Sequence, residues 1–213
     1  GTTLHALSKA LQSYSNFENR KEEKARLLEE ALVHRQEFNK IRERMIPAND
    51  WVRGVNKNYE GLIKADLARL EADKNKKRVL LESAISDMQD GLSSCGKWIL
   101  SRPTMPSTIA TLGSFEDGFG GILNELYQLT EEEKILNKAI EVFEDAAQKF
   151  ENANLSSRAA ESYWKMAKNQ DRLGRFQKAA ENFGNAFERY QTAAQKTPHF
   201  AEFYLGYANY MSA

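Results

Sequence analysis

Three histidines, one cysteine and a run of glycines are the residues here whose types could do chemistry. His5, His34 and His199 could ligate a metal or act as general bases, but both roles need convergent partners. They fall in different apolar-periodic segments with no carboxylate or second histidine in a ligand pattern, so they read as surface or packing histidines. Cys95 is the single cysteine, which excludes an intrachain disulfide and a multi-cysteine zinc site. It falls in step with Met88, Leu92 and Ile99 on an apolar face, as a core thiol rather than a nucleophile. The glycines of LGSFEDGFGG (Gly113, Gly118, Gly120 and Gly121) suggest a phosphate-binding loop. A P-loop needs Lys-Ser/Thr after its last glycine and a strand before its first, and neither is present. Ser114 is instead expected to cap a helix, with the glycines allowing close contact between helices. The basic run Lys74, Lys76, Lys77 and Arg78 reads as a solvated hairpin turn. Glu29-Glu30 and Glu131 to Glu133 read as solubilising, dipole-matching charge. No catalytic, cofactor-binding or metal-ligating set emerges, and the expectation is a protein that is not an enzyme.

These residues must be positioned by helices. Only Pro47, Pro103, Pro106 and Pro198 punctuate 213 residues, and the stretches between them are rich in helix formers with apolar residues three and four apart. Leu4, Leu7, Leu11 and Tyr14 form one stripe, and Leu27, Leu28, Ala31, Leu32, Phe38 and Ile41 a second, with a joint near Asn16 to Lys21. A third helix, capped by Asn49 or Asp50, carries Val52, Val55, Tyr59, Leu62, Ile63, Leu67 and Leu70. A fourth carries Leu81, Ala84, Ile85, Met88, Leu92, Cys95 and Ile99. Residues 1–100 are thus expected to form two helical hairpins. Residues 101–114, with two prolines and no stripe, read as a connecting loop or short helix. Beyond them, Phe115 to Leu129 and Glu131 to Asn152 make a third hairpin, with Thr130 and Glu133 in capping-box spacing. Ser157 to Thr197 make a fourth, with Gly174 at a helix C-terminus and Thr197-Pro198 opening one last helix.

Thirty basic residues against thirty acidic give no net charge, which disfavours nucleic acid as a partner. With a mean hydropathy of −0.64 and no long apolar run, no transmembrane segment is expected. A reducing, cytoplasmic setting fits the lone cysteine. The start at Gly1 and the stop at Met211-Ser212-Ala213, inside an aromatic helical pattern, suggest an excised fragment.

The back half repeats. Leu123, Tyr163 and Phe203 are each 40 residues apart, as are Leu126, Met166 and Gly206, and Tyr127, Ala167 and Tyr207. Leu136 aligns with Phe176, Ala139 with Ala179, Phe143 with Phe183, Ala146 with Ala186, and Phe150 with Tyr190. Small residues let paired helices approach and large ones fill the space between hairpins, so the apolar positions on the step, including Tyr163 and Phe203, are expected in the core. A fixed step of this length marks a helical repeat array. In the front half the corresponding alanines, Ala31, Ala84 and Ala139, are 53 and 55 apart, so the regular step covers only 115–213.

At LGRFQKAAENFGNAF (Leu173 to Phe187) the chain resembles the tetratricopeptide repeat, through Gly174, Phe176, Ala179, Phe183 and Ala186. Tyr163 stands at the family's aromatic position, while Met166 and Ala167 replace its Leu and Gly. The closing proline comes late, at Pro198, so the spacing is more similar to the longer repeats of soluble NSF-attachment (SNAP) proteins. The resemblance implies an all-α fold: a right-handed α-solenoid of antiparallel helical hairpins, about four of them plus one extra C-terminal helix. It also implies a concave groove lined by the first helix of each hairpin. Carried over by position, the groove residues are Asn124 and Gln128, then Trp164, Lys165 and Lys168 with Arg172 extending the stretch, and Tyr204. Trp164 beside two lysines would clamp a peptide, the ring giving flat apolar area and the lysines pairing with carboxylates; the alternative packs Trp164 between hairpins. The function implied is a scaffold or adaptor module binding a protein or peptide. Two alternatives are a regulatory repeat arm of a larger signalling ATPase or protease, and a SNAP-like adaptor in membrane-fusion complexes.

Overall fold

The structure is a computed structural model that describes residues 2–45, 50–101 and 105–212. All described secondary structure is helical, and the chain divides into two compact units, Gly1–Pro103 and Thr104–Ala213. No described helix is long and apolar enough to cross a membrane.

The first unit holds α1 (Thr2–Ser15), α2 (Lys21–Met45), α3 (Asp50–Leu70) and α4 (Lys74–Leu100), each packed on the next. Asn49 and Pro47 lie outside the described residues. The α3–α4 pair is closest because glycine lines the seam. A Cβ on Gly54 would stand 2.5 Å from the Cys95 sulfur and from the Gly91 carbonyl oxygen, and one on Gly61 would stand 2.7 Å from Met88. Leu81, Ala84, Met88 and Cys95 are fully buried there, and burial pushes the Cys95 thiol up to about 12, so it stays protonated and unreactive. Beside this seam runs a polar network absent from the helical pattern. Asp87 accepts from Lys57 at 3.2 Å and Lys64 at 2.5 Å, while Glu60 accepts from Lys57 at 3.2 Å and from Asn39.

Two expectations for this unit change. Lys74 to Arg78 do not form a turn after α3: Asp73 caps α4 by accepting from the Lys76 amide at 2.9 Å, and the basic residues open that helix. His34 does have a carboxylate one turn away, since Glu30 lies 3.7 Å from its Nε2.

The second unit holds α5 (Pro106–Thr130), α6 (Glu133–Asn152), α7 (Ser156–Arg172), α8 (Phe176–Lys196), a 3-10 turn (Pro198–Phe200) and α9 (Ala201–Ser212). The hairpins α5–α6 and α7–α8 stack through α6 against α7, and α9 packs on α8, giving the solenoid-type succession of antiparallel hairpins. The 101–114 segment is helical from Pro106, whose fixed φ suits the first helical turn. Ser114 therefore lies inside α5, donating to the Ala110 carbonyl at 2.9 Å, and does not cap it. The capping box fails as well, because α5 continues through Thr130, whose hydroxyl donates to the Leu126 carbonyl. Glu131 then turns the chain at φ 55° and α6 begins at Glu133.

The alanine and aromatic positions of the repeat pack as the step requires in most places. Ala139, Phe143, Ala146 and Phe150 are fully buried on α6, and Ala179, Ala186 and Tyr190 are buried on α8. Gly174 adopts φ +69°, the left-handed ending expected of it. Two positions depart. Phe176, aligned with the buried Leu136, is 68% exposed because it is the first residue of α8. Phe203, aligned with Tyr163, is 58% exposed because no described helix covers that side of α9.

Candidate functional site

The first helices of successive hairpins, α5 and α7, are joined by polar side chains. Asp117 on α5 accepts from Ser162 at 3.2 Å and from Lys165 at 3.0 and 2.9 Å, and one helical stretch later Asn124 accepts from Asn169 at 2.8 Å. Lys165 also meets Glu161 at 2.8 Å and lies 5.7 Å from the centre of the buried Phe143 ring. Asn124 and Lys165, expected to face a ligand, are thus engaged in holding α7 on α5. Their hydrogen-bonding capacity serves the stack, because the residues that approach across the seam are some 45 positions away and invisible to local spacing.

The remaining expected residues divide. Gln128, Lys168 and Arg172 are exposed, with Trp164, Lys168 and Arg172 four apart along one face of α7. The Lys168 ammonium stands 5.0 Å from the Trp164 ring centre, a cation–π contact. Trp164 itself is half-buried, packed against Tyr207 at 6.3 Å and edge-on to Tyr210 at 6.4 Å. Tyr204 stacks on Tyr190 at 6.3 Å, as Tyr207 does at 5.2 Å, against the cluster formed by Ala160, Ala186, Tyr190, Ala208 and Met211 that Trp164 also packs on.

Between α7 and α9 lies an open cleft of about 460 Å³, lined by Trp164, Glu202, Phe203, Gly206, Tyr207 and Tyr210. Phe203 lines it in place of Tyr204, a shift of one residue from the carried-over register. The α9 sequence explains the shift. Phe203, Tyr207 and Tyr210 make one apolar stripe and Tyr204, Ala208 and Met211 another, and both have helical spacing. Tyr204, Ala208 and Met211 pack toward α8, and Tyr207 also stacks on Tyr190 at 5.2 Å, leaving Phe203 and Tyr210 open at 58% and 68% exposure. The sequence signal for the cleft was this excess of aromatics on a short helix whose only charged residue is Glu202.

Two further titratable groups in the unit are structural. Glu116, buried on α5, meets Lys149 of α6 at 2.8 Å, and burial pushes its carboxyl up to about 7 against the pull of that lysine. Glu151 accepts from Arg189 at 2.6 Å and from the Tyr163 hydroxyl at 3.2 Å, joining α6, α7 and α8; burial and Glu151 raise the Tyr163 pKa. Among the described residues no cluster of three or more His, Cys, Asp or Glu side chains could hold a metal ion.

The sequence model of the family described as soluble NSF attachment protein, SNAP, matches residues 117–206, which run from α5 into α9. No curated protein matches the chain. Among solved structures, a chain of the DHF58 filament is 14% identical with a TM-score of 0.43, covering 97% of this chain and 96% of that one. The de novo designed helical repeat protein DHR64 is 17% identical with a TM-score of 0.40, covering 99% of this chain and 92% of that one. Over residues 117–206 the chain is similar to the SNAP family.

Proposed function

We propose that this chain is a protein-interaction adaptor and that its second unit takes a segment of a partner protein across α7 and α9. The observation that carries the reading is the aromatic cleft beside two exposed cations. Trp164, Phe203, Tyr207 and Tyr210 offer an apolar seat for one or two anchor side chains, and Lys168 and Arg172 continue from it along α7. Aromatic area with a neighbouring arginine is the composition of binding hot spots. The cations select a segment with acidic residues about two helical turns from its anchor. Gln128, exposed on the first helix of the preceding hairpin, is a further polar contact in this reading. The test is a displayed-peptide selection against the full chain, followed by affinity measurements on the selected peptide. Phe203→Ser with Tyr210→Ser should weaken binding at least tenfold, and Lys168→Glu with Arg172→Glu should weaken an acidic peptide selectively. These side chains are exposed, so melting temperatures should hold, whereas Trp164→Ala would also remove packing. Unchanged affinity in both double variants would refute the site.

A second reading, an adaptor in membrane-fusion complexes, draws support from the family match over residues 117–206. Binding to an assembled coiled-coil bundle is its direct test, and no association at micromolar protein would count against it.

A further inference from the structure

The first unit buries an arginine that has no carboxylate in contact among the described residues. Arg35 on α2 is fully buried; its Nη1 donates to His5 Nδ1 on α1 at 2.6 Å and to Asn56 Oδ1 on α3 at 3.3 Å, and the guanidinium lies 4.9 Å from the Tyr59 ring centre. Its Nε and Nη2 have no hydrogen-bond partner. An arginine can only donate, so the Nδ1 facing it must carry a lone pair, and the imidazole must be neutral with its proton on Nε2. His5 is therefore one of two acceptors that satisfy a buried cation.

The other charges acting on the ring have the same sign. Lys9 lies on α1 and Arg42 on α2, Arg42 standing over Phe38, whose ring is 5.3 Å from that of His5. From α3, Tyr59 faces Arg35 and Lys9 with its ring, and Glu60 acts on Arg35 from a distance. A second positive charge on His5 would remove the acceptor and set a cation in contact with the fully buried Arg35. Burial first, then Arg35, Lys9 and Arg42, hold the His5 pKa below its ordinary 6.5. What α1 covers is apolar: Leu11 packs on the cluster of Leu28, Ala31 and Ile63, and Ser8 donates to the Ala31 carbonyl at 2.8 Å.

We propose that α1 is a pH-sensitive latch, docked on α2 while His5 is neutral and released on mild acidification, uncovering the Leu28, Ala31 and Ile63 surface. The undocked state binds the extra proton, so docking is strongest above the ordinary histidine pKa and weakens as pH falls below it. The loss approaches tenfold in the docking equilibrium per pH unit.

The experiment is hydrogen exchange on the full chain between pH 7.5 and 5, corrected for intrinsic exchange rates, with the His5 ring followed by NMR in the same samples. Protection of α1 should fall up to tenfold per unit below pH 6.5, in step with His5 protonation, while α3 and α4 keep theirs. In His5→Asn a carbonyl oxygen can replace Nδ1 without titrating, so α1 should stay protected throughout; His34 and His199 remain in that variant as controls. Loosening of the same size in His5→Asn, or undiminished protection in the wild type at pH 5, would overturn the latch. If His5→Asn leaves α1 unprotected at every pH, the wild-type ring decides: a pKa below 6.5 tracking the loosening supports the proposal, and a pKa at or above 6.5 overturns it.

Discussion

Gly120 and Gly121 are adjacent in α5, and replacing each by alanine separates packing from helix propensity. Alanine in a helix interior is favoured over glycine by about 1 kcal/mol, and both variants receive that gain. At Gly121 nothing lies within 4 Å of the new Cβ, so Gly121→Ala should stabilise the chain by nearly the full amount. At Gly120 the new Cβ would stand 2.6, 2.7 and 2.9 Å from three atoms of the Phe143 ring. That ring is fully buried on α6, so relief requires α5 and α6 to separate. Overpacking of this kind costs about 1–3 kcal/mol, which makes Gly120→Ala neutral to destabilising by about 2 kcal/mol. The two variants should therefore differ by about 1–3 kcal/mol, with opposite signs over most of that range. Urea denaturation followed by circular dichroism reads this directly, because a slope of about 1–3 kcal/mol per molar turns the difference into midpoint shifts near 1 M. Phe143→Leu in the Gly120→Ala background should recover part of the loss, a coupling expected only for residues in contact. Equal stabilisation by both alanines would refute the close α5–α6 contact and with it the packing role given to this glycine.

Glu116 should make the second unit less stable as pH rises from about 4.5 to about 7, because the unfolded carboxyl ionises first and the buried one keeps its proton longer. The change is on the order of 1–3 kcal/mol, and unfolding free energy against pH should flatten over that window in Glu116→Gln. Asn124→Ala removes the acceptor for the buried Asn169 amide and should cost about 1–3 kcal/mol in denaturation experiments, because the donor is left unpaired. If Asn124 were instead a ligand contact, the same variant would lower affinity and leave stability unchanged.

Much of the fold was legible in the sequence because it depends on neighbours within one or two helical turns. Apolar residues three and four apart, Gly174 at a helix end and the alternation of Ala139, Phe143 and Ala146 specified helices, one left-handed ending and a tight helix pair. The capping box at Thr130 and the start at Ser114 misled for a local reason too. Residues 106–114 are uncharged, with only Ile109 and Leu112 as large apolar side chains, so a helix there shows little contrast between a polar and an apolar face.

What only the tertiary structure decided is which surfaces remained for a partner. Helical periodicity identifies a buried stripe when the opposite face is polar, but α9 carries two apolar stripes, and α8 covered Ala208 and Met211 and took both Tyr204 and Tyr207 against Tyr190, while Phe203 and Tyr210 stayed exposed. Lys165 and Asn124 look like free groove residues until Asp117 and Asn169 arrive from the facing helix. Arg35 interrupts the apolar stripe of Leu28, Ala31 and Phe38 on α2, and among the described residues only His5 from α1 and Asn56 from α3 supply its acceptors. Sequence by itself set the helices and their 40-residue step, because torsional preference and amphipathicity are short-range. Contacts between residues 20 to 50 positions apart determined which charges were neutralised, and so left the cleft by Trp164 and the His5–Arg35 pair, the two features on which the proposals rest.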